Sequence, residues 1–89
     1  MIYKVALLPG EVRRINGFPI HVGVQHRIWQ VWYVVGGDVL YDVTVVGTGE
    51  GHRDVTGWEH INTFLELDGA LVWHAFRNNK IESETARRG

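Results

Sequence analysis

The sequence predicts an all-β domain, a small antiparallel sandwich or partly open barrel of six to seven strands followed by a polar tail. Three observations lead there. No segment carries the 3.6-residue apolar period of an amphipathic helix. Turn-forming pairs (Pro9-Gly10, Asn16-Gly17, Gly36-Gly37, Asp68-Gly69) divide the chain into strand-length pieces. The pieces between them are rich in β-branched and aromatic residues, which fit a pleated, packed surface.

In chain order, Tyr3 to Leu8 reads as a strand that ends at Pro9-Gly10, where proline presets the first turn dihedral and glycine accepts a positive φ at the next. A second strand over about residues 11–15 carries Arg13 and Arg14 on opposite faces, the mark of an edge. His21 to Gln25 follows, with Val22 and Val24 on one side. Ile28 to Val35, IWQVWYVV, is the longest strand-favouring run and is apolar on both parities, so it is expected at the centre. Gly36-Gly37-Asp38 then predicts a hairpin into Val39 to Val46. In that pairing Ile28, Trp32 and Val34 share the main core with Tyr41, Val43 and Val45, while Trp29, Val31 and Tyr33 share a second face with Leu40, Asp42, Thr44 and Val46.

Gly47 to Thr56 is the longest expected loop. Trp58 to Leu67 and Ala70 to Arg77 flank Asp68-Gly69, a strong hairpin signal that sets Leu65 opposite Val72, Ile61 opposite Phe76, Phe64 opposite Trp73 and Thr63 opposite His74. The domain is therefore expected over residues 1–77, with residues 78–89 a polar tail, a frayed helix turn or disordered.

Composition narrows the function. Eighty-nine residues make one domain, and the absence of cysteine excludes disulfide frameworks and thiolate metal sites. A formal charge of −1 leaves no broad cationic field for a nucleic-acid backbone, and no stretch approaches a membrane span. The expected setting is the cytoplasm.

Three residue groups are candidates for function. Thr63 and His74 face each other in an apolar patch, either as a core histidine with its hydrogen-bond partner or as a ligand contact. Gly47, Thr48 and Gly49, with His52 and Arg53 beyond, form a glycine loop able to curl into an anion-binding nest, or serve as an ordinary surface loop. Trp29, Val31, Tyr33 and Trp58 form an aromatic second face, either a protein-binding surface or a further layer of core. Five histidines match no zinc spacing, and His60 and His74 are expected on opposite faces of their hairpin, so neither metal nor cofactor is expected. The acidic residues fall in loops or on solvent faces and the only serine, Ser83, lies in the tail, so no catalytic residue is assigned.

His21-Val-Gly-Val-Gln25 leading to Trp32, then Val45-Val-Gly-Thr-Gly49, Ile61-Asn-Thr63 and Gly69-Ala-Leu-Val-Trp-His74-Ala-Phe76, resemble a family of small phage-encoded domains of unknown function. The resemblance runs from about Tyr3 to Arg77. The family's GTG segment matches Gly47, Thr48 and Gly49, and its terminal VWHxF segment matches Val72, Trp73, His74 and Phe76. This chain departs from the family in the loop GEGHRDVTG and in the tail after Arg77. The resemblance implies a phage or prophage accessory protein in a host cell, without an assigned activity. Together with the near-neutral charge and the aromatic face, it leads to the expectation of a non-enzymatic protein-binding module, an inhibitor of a host factor or defence system, with self-association through the apolar face. The alternative is a small-ligand binder that sequesters a nucleotide or other anion at Gly47 to His52.

Overall fold

Seven strands build two antiparallel sheets that face each other and do not close into a barrel. The computed structural model describes residues 1–49 and 54–79, and no helix occurs among them. The strands are β1 (Ile2–Ala6), β2 (Arg13–Asn16), β3 (Phe18–Gln25), β4 (Ile28–Val34), β5 (Leu40–Gly47), β6 (Glu59–Glu66) and β7 (Leu71–Asn79). Sheet order is β1-β4-β3 in one layer and β2-β5-β7-β6 in the other. β4 is central in its sheet and β2 is an edge, as their residues predict.

The β4–β5 hairpin does not form. Both edges of β4 are already paired, with β1 on one side and β3 on the other, so β5 has no place beside it and joins the opposite sheet. Of the three residues of the expected turn only Gly37 takes a positive φ (57), a conformation glycine allows. The crossing also exchanges the faces of β4. Trp29 and Val31, 7% and 0% exposed, point inward and pack with Val43, Val45, Val22, Leu7, Ile15 and Ala75. Ile28 and Val34 are instead 47% and 38% exposed, so the expected core role of Ile28, Trp32 and Val34 is corrected.

Two turns match their sequence signals. Pro9-Gly10 is closed by the Glu11 N–H donating to the Leu8 carbonyl at 3.0 Å, with Gly10 at φ 83. Leu67, Asp68 and Gly69 take φ 52, 53 and 88 beneath two overlapping bonds, from the Gly69 N–H to the Glu66 carbonyl at 3.1 Å and from the Ala70 N–H to the Leu67 carbonyl at 3.0 Å, a four-residue connection that keeps the register a two-residue Asp68-Gly69 turn would set. It sets Leu65 opposite Val72, Phe64 opposite Trp73 and Thr63 opposite His74. A bulge between His60 and Asn62 then shifts the register, so Phe76 faces His60 and not Ile61.

Candidate functional site

Thr63 and His74 lie on the outer face of the four-stranded sheet, because β7 turns Trp73 and Ala75 inward and His74 and Phe76 outward. The hydroxyl of Thr63 is 3.0 Å from Nδ1 of His74. On the other side of the ring, Nε2 of His74 is 2.7 Å from Oγ1 of Thr48, which is held at the end of β5 by its N–H donating to the Val72 carbonyl at 3.0 Å. Thr48 and His74, distant in sequence, are thus brought together.

The line extends to a residue that sequence reasoning placed elsewhere. The bulge carries His60 to the same face as His74, where its Nε2 is 3.0 Å from Thr63 Oγ1 and the two ring centroids are 6.5 Å apart. His60 was expected on the opposite face; only the extra residue at the bulge, which no local signal marks, returns it. Thr63 has one hydroxyl proton and two lone pairs, so it donates to at most one imidazole and accepts from at least one. Thr48, His74, Thr63 and His60 therefore lie along one connected line of hydrogen bonds. A groove of about 400 Å³, lined by Gly47, Ala70, Leu71, Val72 and Trp73, adjoins Thr48. Gly49 takes φ 87 just beyond it, while His52 and Arg53 lie outside the described residues. No group of three or more metal-binding side chains occurs among the described residues.

The expected aromatic surface is rearranged. Trp29 and Val31 are core residues, and the further-layer-of-core alternative describes them. Tyr33 is half-buried against the core, with its ring edge-on to Tyr3 at 6.3 Å. Trp58 closes a turn before β6, its N–H donating to the Val55 carbonyl at 2.9 Å.

The apolar surface that does reach solvent is the outer face of the three-stranded sheet. Paired residues share a face, so Ile2 stands beside Val34, and Lys4, Trp32 and His21 form one row across the sheet. His21 tilts over Trp32 with centroids 5.5 Å apart. Gly23 makes room for them: a Cβ there would lie 3.1 Å from His21 Nε2 and 3.7 Å from the Trp32 ring. Lys4 reaches across to donate to the side-chain carbonyl of Gln25.

A family model described as a Domain of unknown function (DUF7352) matches residues 1–86. The chain belongs to that family. Membership agrees with the expected kinship to an uncharacterised domain family and extends it over nearly the whole chain. No curated protein and no solved structure matches this DUF7352 domain. No helix of the described residues is long and apolar enough to cross a membrane.

Proposed function

We propose that the domain is a non-enzymatic protein-binding module whose working surface is the outer face and open edge of the three-stranded sheet. The observation that carries this reading is the set of apolar side chains left in solvent on that face, with Ile2 (59% exposed) beside Val34 at one end of β4, Ile28 (47% exposed) at the other, and the half-buried Trp32 between them. Apolar side chains set around an aromatic, with Lys4, His21 and Gln30 among them, are what a partner buries when it docks. The resemblance supplies the setting: a phage or prophage accessory protein that occupies a surface of a host factor or defence protein in the host cytoplasm. The test is affinity capture on the immobilised domain followed by reconstitution of the complex from purified components. Trp32→Ala is expected to weaken that complex at least tenfold, whereas Leu65→Ser on the opposite sheet leaves it unchanged. A reconstituted complex indifferent to Trp32→Ala would refute the assignment of the surface.

A second reading, a small-ligand site, is supported by the 2.7 Å contact of Thr48 with His74 beside the groove. A nucleotide that binds there raises the melting temperature by mass action, by about 2.7 kcal/mol of stability at one hundred times Kd. No shift across a nucleotide panel would remove this reading.

A further inference from the structure

We infer that the open edge of β1 takes up an extended segment of a partner chain as an added strand, and that this segment carries an acidic residue between two apolar ones. The inference rests on the protein-binding reading and names the class of partner.

The edge is defined by hydrogen-bond parity. The Leu7 N–H donates to the Trp29 carbonyl and the Val35 N–H to the Met1 carbonyl, so the odd-numbered residues of this stretch turn their backbone groups toward β4. Ile2, Lys4 and Ala6 consequently turn theirs away, and among the described residues nothing pairs with that side of β1. The other sheet edges are managed. β3 and β6 are tied together by Asn62, whose side chain bonds Val22 on both sides, and β2 is four residues long with two arginines. β1 has no proline and no bulge, and Lys4 is its one guarding charge, which leaves it the least protected edge of the fold.

Charge selects the occupant. β1, β3 and β4 contain Lys4 and His21 and not one carboxylate, and the turn between β3 and β4 adds His26 and Arg27, all in a chain whose net charge is −1. A second copy added antiparallel about Lys4 would set ammonium against ammonium, and a register shifted by two residues would leave each lysine opposite Ile2 or Ala6 with no counter-charge. An outside segment with a carboxylate opposite Lys4 removes both difficulties. Its two flanking residues then lie opposite Tyr3 and Val5, on the side where Val5 packs against the core and Tyr3 stands exposed, so they are apolar.

A peptide array tests this with the whole chain: extended dodecapeptides with a central Val-X-Val, X being Asp, Glu, Gln, Ser or Lys. The expected result is that acidic-centred peptides bind at least tenfold more tightly than lysine-centred ones. Lys4→Glu should invert the order. Ala6→Pro should abolish binding with an unchanged melting temperature, because the lost N–H faces solvent and not β4. If Ala6→Pro unfolds the domain, Lys4→Glu alone decides. No acidic preference, or binding that survives Ala6→Pro in a folded protein, overturns the inference. So does a dimer in sedimentation that Ala6→Pro dissociates, since a second copy would then occupy the edge. A Trp32-dependent complex that ignores both β1 variants would sink strand addition and keep the protein-binding reading. Failure of the array together with failure to reconstitute any complex would sink both.

Discussion

The side-chain amide of Asn62 makes to Val22 both hydrogen bonds that a neighbouring strand would make. Its Oδ1 accepts from the Val22 N–H and its Nδ2 donates to the Val22 carbonyl, each at 2.8 Å. Val22 is fully buried, so without Asn62 two backbone groups would be stranded away from water. Asn62→Ala is therefore expected to cost about 2–4 kcal/mol, roughly one to two unsatisfied buried groups. In a domain of this size that is a fall in melting temperature of about 8–32 °C. Hydrogen exchange at the Val22 N–H checks the cause: protection there should collapse in the variant, and retained protection would assign the loss to another contact.

The same residue shows where the sequence stops being legible. Thr63 opposite His74 and Phe64 opposite Trp73 follow from Asp68-Gly69, since a two-residue turn sets every pair above it. Ile61 opposite Phe76 fails at the bulge between His60 and Asn62, next to the point where Asn62 bonds to β3, and such a bulge is invisible in a local pattern. The β4–β5 hairpin fails for a similar reason. Gly36-Gly37 signals a turn, but whether β4 has a vacant edge depends on β1 and β3, which pair with it from elsewhere in the chain. Hence Thr63 and His74 were readable as a site pair, while His60 and the outward row of Ile28, Trp32 and Val34 were not.

Thr63 sits between two imidazoles, and its loss should be felt by both. Thr63→Val keeps the shape and removes the hydroxyl, so the ring nitrogen resonances of His60 and His74 are expected to move together. Thr48→Val touches only the far nitrogen of His74 and should move that ring first and most. If His60 is unmoved by Thr63→Val, the chain of bonds does not persist in solution.

Asp54 gives a pH dependence. The Thr56 N–H donating to its carboxylate at 2.9 Å, with the Thr56 hydroxyl assisting, holds the Asp54 pKa below the ordinary carboxylate value. A depressed folded-state pKa adds stability that is present above the unfolded value and lost as pH falls through the folded one. The carboxyl carbon of Asp54 should accordingly titrate below the ordinary range, and Asp54→Asn should remove its share of the acid-side decline. A normal midpoint would mean that the turn at residues 54–57 is not closed by this carboxylate.

The turn joining β3 to β4 places His26 and Arg27 at φ 56 and 67, a conformation that side chains other than asparagine and glycine adopt at a cost. His26→Asn with Arg27→Gly is expected to stabilise the domain by about 1 kcal/mol, a rise of about 4–8 °C. A fall in melting temperature would show that these side chains contribute contacts that outweigh the backbone strain.

Trp29 and Trp73 pack with ring centroids 4.9 Å apart, yet their indole N–H groups differ. Trp29 donates Nε1–H to Glu66 at 2.9 Å, while the Nε1 of Trp73 is buried with no acceptor among the described residues. Replacing either by phenylalanine removes a similar ring volume, so the difference between the two variants isolates the polar atom. Trp29→Phe loses a hydrogen bond to a charged group and leaves Glu66 without it, which costs about 1.5–3 kcal/mol beyond the volume lost. Trp73→Phe abolishes an unsatisfied donor, and that gain offsets part of its lost packing. Urea unfolding with unchanged m-values should therefore find Trp29→Phe the less stable of the pair by at least about 1 kcal/mol. Equal midpoints would mean that Trp73 Nε1 finds an acceptor in solution, and with it that this end of the core is arranged differently from the structure.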